Sequence, residues 1–149
     1  MAGQPAKRVG VNEVRGKILP LCQERPTIAA VFLFGSYGTC YQTQFSDIDL
    51  GVLFFPDGIP NLRGEMGLAG AFSSALGRDD VDLVIMNKAP LPLRYRIVAE
   101  GEILYEKDYV YTSDFLAATY KYFLDYNIDY RMFMAEYSRS LKEAYKVNG

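Results

Sequence analysis

Apolar residues in this chain follow two patterns, which predict two kinds of secondary structure. Continuous apolar runs, rich in β-branched and aromatic residues and bounded by turn residues, are typical of buried strands; they lie at residues 28–34, 47–55, 81–86 and 102–106. Apolar residues that recur every three or four positions predict an amphipathic helix at residues 61–76. Residues 12–24 and 90–100 are predicted as helices from signals at their ends, which are Asn12 and Pro26 for the first and Pro90 and Gly101 for the second. The alternation predicts an α/β (α+β) fold, in which a small mixed sheet is backed by helices.

The two ends of the chain differ from this middle part. Residues 1–10 are polar and are expected to be loose, with Asn12 capping the first helix and Pro20 kinking or dividing it. From Asp114 onward, aromatic and apolar residues recur at steps of three and four; they are Phe123, Tyr126, Tyr130, Phe133, Tyr137 and Leu141. Such a stripe either packs in the protein's own core or docks a partner. We expect a core at 1–108 and a partner-docking helical segment at 109–149 within the same domain.

The strongest chemical signal is a small-residue turn followed by two acids. Gly35 and Ser36 close the first apolar run, and Asp47 and Asp49 open the second. A turn after a strand offers backbone N–H groups to a phosphate. Acids at i and i+2 of a strand point to the same face with Cα atoms about 6.5 Å apart, and carboxylate oxygens are ligands of Mg²⁺. The combination predicts a nucleotide held by its triphosphate beside a metal site, as nucleotidyl transfer requires.

A third acid strengthens this prediction. Asp82 lies inside the apolar run 81–86, where a carboxylate is costly to bury unless it is paired or binds a metal. If this strand lies beside the strand that carries Asp47 and Asp49, the three carboxylates form a cluster. Such a cluster could hold two metal ions about 3.5–4 Å apart, one on the attacking oxygen and one on the leaving side.

Composition narrows the chemistry further. The 149-residue chain has no histidine, which excludes Ser-His-Asp and Cys-His catalysis and histidine metal ligands. A formal net charge of −2 without a basic block argues against extended nucleic-acid binding. Cys22 and Cys40 have no CxxC spacing and are expected to be inert thiols in a reducing compartment. With no apolar signal segment or membrane-spanning run, we expect a cytoplasmic protein.

These residues resemble a known family. The pattern of Gly35 and Ser36 followed by Asp47 and Asp49, continued by the segments 76–84, 89–94 and 99–106, is similar to the minimal nucleotidyltransferases (MNT) of the polymerase-β-like superfamily. Within that family it is similar to the adenylyltransferase antitoxins that are paired with HEPN ribonuclease toxins. The likeness extends over residues 28–108, whereas the C-terminal segment matches mainly in length and aromatic character.

The resemblance implies a fold, an activity and roles for the site residues. It implies a polymerase-β-like core and an antitoxin that transfers AMP from ATP to a tyrosine hydroxyl of its HEPN toxin (AMPylation), with two Mg²⁺ ions. Gly35 and Ser36 would cradle the triphosphate, and Asp47 and Asp49 would ligate both metals. Asp82 would ligate the catalytic metal and help to deprotonate the acceptor hydroxyl. A tight complex with the toxin is implied, and assembly as a homo-oligomer or a hetero-oligomer is left open.

One departure from the family pattern affects nucleotide binding. Many family members carry arginine soon after Gly-Ser, whereas residues 37–40 of this chain are Tyr-Gly-Thr-Cys. Loss of a bidentate phosphate partner could cost on the order of 1–3 kcal/mol, unless another basic residue replaces it. Lys88, Arg94 and Arg96 follow the third strand and could meet phosphate, although exposed basic side chains usually contact only solvent.

Two other functions remain open at this point. The first is nucleotidyl transfer to a small molecule, as in aminoglycoside-modifying enzymes, which resemble this core but use a larger acceptor cleft. The second is a non-catalytic module that masks a toxin through the aromatic helical segment. The short C-terminal segment favours a macromolecular acceptor over a small one.

Overall fold

The computed structural model describes residues 3–35 and 47–148, and side chains within them except those at 3–9, 130, 137, 141 and 143–148. These residues form four strands and four helices, with a short 3₁₀ turn at Pro56–Gly58. The strands are β1 (Ile28–Phe34), β2 (Ile48–Phe54), β3 (Val81–Ile85) and β4 (Glu102–Glu106). The helices are α1 (Gly3–Glu24), α2 (Leu62–Leu76), α3 (Leu91–Glu100) and α4 (Tyr109–Asn148).

The four strands form one mixed sheet in the order β3-β2-β1-β4. Strand β1 pairs antiparallel with both β2 and β4, whereas β2 and β3 are parallel. The central strand β1 is buried along nearly its whole length, which explains why it is a continuous apolar run rather than an alternating one. The predicted fold class, a small mixed sheet backed by helices, is confirmed.

Each face of the sheet packs against a different pair of helices. On one face, alternate residues such as Val31 and Leu50 pack with α1 and α2, with Ile18 and Phe72 fully buried. On the other face, Phe32 packs with residues of α3 and of the first turns of α4. Because side chains alternate along a strand, a residue of β2 belongs to one of these layers or the other. Asp49 belongs to the layer that α3 and α4 cover.

The predicted start of the first helix was wrong. Helix α1 begins at Gly3 rather than at Asn12, and Asn12 lies inside it, where its side chain accepts a hydrogen bond from Arg15 Nη1 at 3.0 Å. Pro20 lies inside α1 and does not divide it, since the helix continues to Glu24. The first turn has no acidic residue, and residues 3–9 show no apolar periodicity, so the local sequence signal for a helix there is weak.

The C-terminal segment was predicted as helices, and the structure instead has one continuous helix of 40 residues. The Asp108 side chain accepts a hydrogen bond from the Tyr111 N–H at 3.0 Å and so caps its first turn. Phe123 stacks on Tyr95 of α3 with ring centroids 3.8 Å apart, so this part of the aromatic stripe packs against the protein's own helix α3. Phe133 is 64% exposed. The side chains of Tyr130, Tyr137 and Leu141 lie outside the described set.

Candidate active site

Gly35 occupies a position that no other residue could take without changing the site. It follows β1 with a φ of 81°, a left-handed conformation that L side chains rarely adopt. Its neighbour Phe34 pairs with Asp49 across the antiparallel strands. A Cβ atom at Gly35 would collide with Oδ2 of Asp49. The glycine therefore allows the backbone of the turn to approach the Asp49 carboxylate directly.

The parallel pairing of β2 and β3 brings the second and third acids together. Asp49 and Asp82 are partners in this register, so their side chains leave the sheet on the same face. A hydrogen bond joins the two carboxyl groups. Asp47 lies just before β2 and is exposed, two positions from Asp49. The structure thus brings together the three acids that the sequence singled out.

Burial and negative neighbours act together on Asp49. Burial raises the pKa of this carboxyl group above its usual value of 3.8, and the negative charges of Asp82 and then Asp47 raise it further. The hydrogen bond to Asp82 acts in the same direction, whereas the positive charge of Arg96 on α3 lowers the pKa of Asp49. A carboxylate in this position is stabilised by any cation that approaches it.

The raised pKa predicts a pH-dependent stability that involves Asp49. Between 3.8 and the raised pKa, the folded state binds a proton more tightly than the unfolded chain, so the Asp49 contribution to stability falls as pH rises. We therefore expect Asp49→Asn to have a higher melting temperature than the wild type at neutral pH without divalent metal ions. The difference should shrink as pH falls towards 3.8. Thermal unfolding across this pH range tests it, and a variant less stable than wild type at neutral pH would contradict it.

The donor set at this position suits a hard cation. Within residues 3–35 and 47–148, no group of three acidic, histidine or cysteine side chains is arranged to hold a metal ion by itself. Mg²⁺, however, is usually bound by one or two carboxylates and completed by substrate phosphates and water. The paired carboxyl groups of Asp49 and Asp82, with Asp47 close by, supply oxygen donors only and fit that mode of binding.

The three basic residues that follow β3 differ in what they contact. Lys88 donates to the Pro60 carbonyl oxygen at 2.5 Å and lies 3.1 Å from Glu65. Arg94 donates to the Ala89 carbonyl oxygen at 3.0 Å and lies over the Phe115 ring, 5.6 Å from its centroid. Of these three residues, only Arg96 lowers the pKa of the Asp49 carboxyl group through its positive charge. The sequence did not distinguish Arg96 from the other two.

Two of the predicted residues cannot be compared with the structure. Ser36, the proposed partner of Gly35 in phosphate binding, lies outside the described residues, and so does Cys40. Cys22 is buried, and burial raises the pKa of its thiol to about 12. The Cys22 thiol is therefore protonated and unreactive at neutral pH, as predicted.

The fold and the acid cluster define a class of protein, and comparison with family models gives the same class. Residues 16–110 match the family described as polymerase beta, nucleotidyltransferase. The match contains β1 to β4 together with Gly35, Asp47, Asp49 and Asp82. The chain belongs to this nucleotidyltransferase family.

One relative by sequence is a protein adenylyltransferase. The chain is 37% identical over 90 residues to the protein adenylyltransferase MntA of Shewanella oneidensis. That alignment includes 60% of this chain and 63% of the relative, so this chain spans just under two thirds of the relative's length.

Solved structures show the same fold. A crystal structure of a toxin–antitoxin with AMP-PNP matches with a TM-score of 0.69 and 27% identity, covering 82% of this chain and 96% of that one. A complex of a tri-AMPylated Shewanella oneidensis HEPN toxin with its MNT antitoxin matches with a TM-score of 0.65. The latter match has 24% identity and covers 85% of this chain and 97% of that one, so it supports the fold alone.

No helix in the described part of the chain is both long and apolar enough to cross a membrane.

Proposed function

We propose that this protein is an antitoxin that transfers AMP from ATP to a tyrosine hydroxyl of a HEPN-type ribonuclease toxin and thereby neutralises it. The observation that carries this proposal is the register of β2 and β3, which pairs Asp49 with Asp82 beside the Gly35 turn. The similarity to the adenylyltransferase MntA and to a toxin–antitoxin bound to an ATP analogue supports the choice of ATP and of a toxin as acceptor.

The proposed reaction is an in-line displacement at the α-phosphorus of ATP. A bond forms between the tyrosine oxygen and the α-phosphorus, and the bond from the α-phosphorus to the oxygen bridging to the β-phosphate breaks. Pyrophosphate leaves with that electron pair, and the phenolic proton passes to a carboxylate of the cluster or to water. The products are pyrophosphate and a toxin that carries AMP in a phosphodiester bond to tyrosine.

The residues of this chain position the reactants. Gly35 and Ser36 are proposed to bind the triphosphate through backbone N–H groups, and the absence of a side chain at Gly35 would let a phosphate come close to its backbone. Asp82 lies at the exposed edge strand of the sheet, and we assign it the task of accepting the acceptor proton. Holding the hydroxyl and the α-phosphorus in line supplies much of the rate enhancement that such a site can give.

Asp47, Asp49 and Asp82 would hold Mg²⁺, which we propose as the cofactor in two copies. When bound, Mg²⁺ neutralises phosphate charge and favours the ionised form of a hydroxyl. Asp49 is suited to this task because burial and the neighbouring acids make its negative charge unfavourable until a cation is present. We further propose that the protein acts in the cytoplasm, where ATP and Mg²⁺ are both available.

The toxin is proposed to dock along α4. The first turns of this helix pack on α3 and the sheet, whereas the later turns carry exposed Met132 and Phe133. Aromatic and methionine side chains are enriched at the buried centres of protein interfaces. An α4 contact would leave the acid cluster on the core available to a tyrosine of the bound toxin.

Labelled ATP tests the proposed activity directly. The protein is incubated with Mg²⁺, a candidate HEPN toxin partner, and ATP labelled at either the α- or the γ-phosphate. The proposal predicts that α-label enters the toxin whereas γ-label is released as pyrophosphate. Transfer of γ-label would indicate a kinase instead, and the absence of both labels from the toxin would contradict AMP transfer.

The two alternatives give different results in the same experiment. A small-molecule nucleotidyltransferase would consume ATP with an aminoglycoside and leave the toxin unlabelled. A masking module would bind and inhibit the toxin without label, and the inhibition would survive the Asp47→Asn/Asp49→Asn double substitution.

A further inference from the structure

The proposed site lacks an assigned positive charge for the triphosphate. The segment after Gly35 and Ser36 has no basic residue as far as Cys40, and the acids that face the site are themselves negative. A phosphate chain beside three carboxylates requires cations in addition to any Mg²⁺, because unneutralised negative charges repel one another strongly near a protein surface. A basic side chain close to Asp49 would meet this need.

The path of α3 places Arg96 near the acid cluster. Gly51 lies two residues after Asp49 on the same face of β2, and a Cβ atom on Gly51 would lie 3.1 Å from Ile97 Cγ2. At the end of α3, a Cβ atom on Gly101 would lie 3.1 Å from the Leu33 carbonyl oxygen. Helix α3 therefore runs across the face that bears Asp49, towards the end of β1 that leads into the Gly35 turn.

Arg96 lies on a side of α3 that does not face α4. The α4 side is marked by Tyr95, whose ring contacts Phe123 and Tyr120, and the sheet side is marked by the buried Ile97. Arg96 and Glu100, one turn apart, form an ion pair with Nε and Oε1 separated by 3.5 Å, and both side chains are more than half exposed. An exposed pair at this distance contributes little and is readily exchanged for another anion.

Other basic residues on either side of β3 in the sequence are held by their own partners. Lys88 and Arg94 contact groups away from the cluster, as described above. Arg78 forms a bidentate pair with Asp80, with Nε–Oδ1 and Nη2–Oδ2 distances of 2.7 and 2.5 Å. A bidentate guanidinium–carboxylate pair is stronger than a single contact, so Arg78 is less available than Arg96.

We infer that Arg96 is a nucleotide-binding residue: its guanidinium exchanges Glu100 for the β- and γ-phosphates of the ATP bound at the acid cluster. This inference rests on the proposed function, since it assigns a residue to the phosphate chain of the same nucleotide. It also assigns Glu100 a role, because the carboxylate competes with the nucleotide for the same guanidinium.

Nucleotide binding to the isolated chain tests the inference without requiring the toxin. Calorimetric titration with Mg²⁺ and either AMP-PNP or AMP is compared for the wild type and Arg96→Ala. We expect the Kd for AMP-PNP to rise roughly 10- to 100-fold, as for loss of a charged hydrogen-bond partner, with little change for AMP. Glu100→Gln should lower the Kd for AMP-PNP roughly twofold to fivefold, and Arg96→Lys should restore part of the affinity.

Lys88→Ala is the matched control, because Lys88 also follows β3 but pairs with Glu65. The Kd of this variant for AMP-PNP should equal that of the wild type. An unchanged Kd for AMP-PNP in Arg96→Ala would overturn the inference, as would an equal loss of AMP and AMP-PNP affinity. If the wild type binds AMP-PNP but does not label the toxin, the proposed acceptor fails while the assignment of Arg96 stands.

Discussion

Replacing Asp49 or Asp82 by asparagine should reduce AMP transfer on the order of 10³-fold or more. Each change removes an anionic oxygen from the hydrogen-bonded pair and, in the proposed mechanism, a ligand of Mg²⁺. Transfer of α-label to the toxin measures the loss. The fold should survive, since asparagine has nearly the same shape and the Asp49 charge is unfavourable in the folded protein without metal.

Asp57→Asn provides the control for these substitutions. Asp57 is exposed in the 3₁₀ turn that follows the other end of β2, so its replacement removes the same charge away from the cluster. It should keep the transfer rate of the wild type. If Asp49→Asn and Asp82→Asn both kept that rate as well, the acid cluster would not be the catalytic centre.

Gly35→Ala should abolish transfer although it changes no charged group. The added methyl group would collide with the Asp49 carboxylate. The alanine would also have to adopt a φ of 81°, which costs about 1–2 kcal/mol for an L residue. The turn, the carboxylate or both must move, so the geometry between triphosphate and metal ligands is lost. Transfer rate and the free energy of unfolding are measured together.

Gly77→Ala separates the effect of backbone strain from the effect of the collision. Gly77 ends α2 with a φ of 68°, and a Cβ atom there would meet no other heavy atom within 4 Å in the described structure. The Gly77→Ala variant should therefore lose stability, as Gly35→Ala does, but keep the transfer rate of the wild type. If Gly35→Ala kept its activity to the same extent, the close approach of the turn to Asp49 would have no role in catalysis.

The sequence predicted the four strands well, for a physical reason. Strands buried on both faces must be continuous apolar runs, and Ile28–Phe34 matches β1 at both ends. The start of α1 was missed because its first turns lack apolar periodicity and an acidic cap. The continuity of α4 could have been predicted, since residues 109–148 contain neither glycine nor proline.

The site was predictable where it depends on strand geometry and not where it depends on helix packing. Asp47, Asp49 and Asp82 could be grouped because side chains of a strand alternate and neighbouring strands align their residues. The relation of Arg96 to Asp49 depends on how closely α3 approaches the sheet. That approach is permitted by Gly51 and Gly101, whose importance appears only in three dimensions. The catalytic roles of the acids and the division into core and docking segment remain predictions.

The measurement that tests the central claim most directly is mass-spectrometric mapping of the toxin after co-expression with this protein. The wild type and the Asp47→Asn/Asp49→Asn double variant are compared, with complex formation checked by co-purification. Our account predicts AMP on a tyrosine side chain of the toxin with the wild type, and an unmodified toxin, still bound, with the double variant. An unmodified toxin in both samples, or AMP in both, would contradict it.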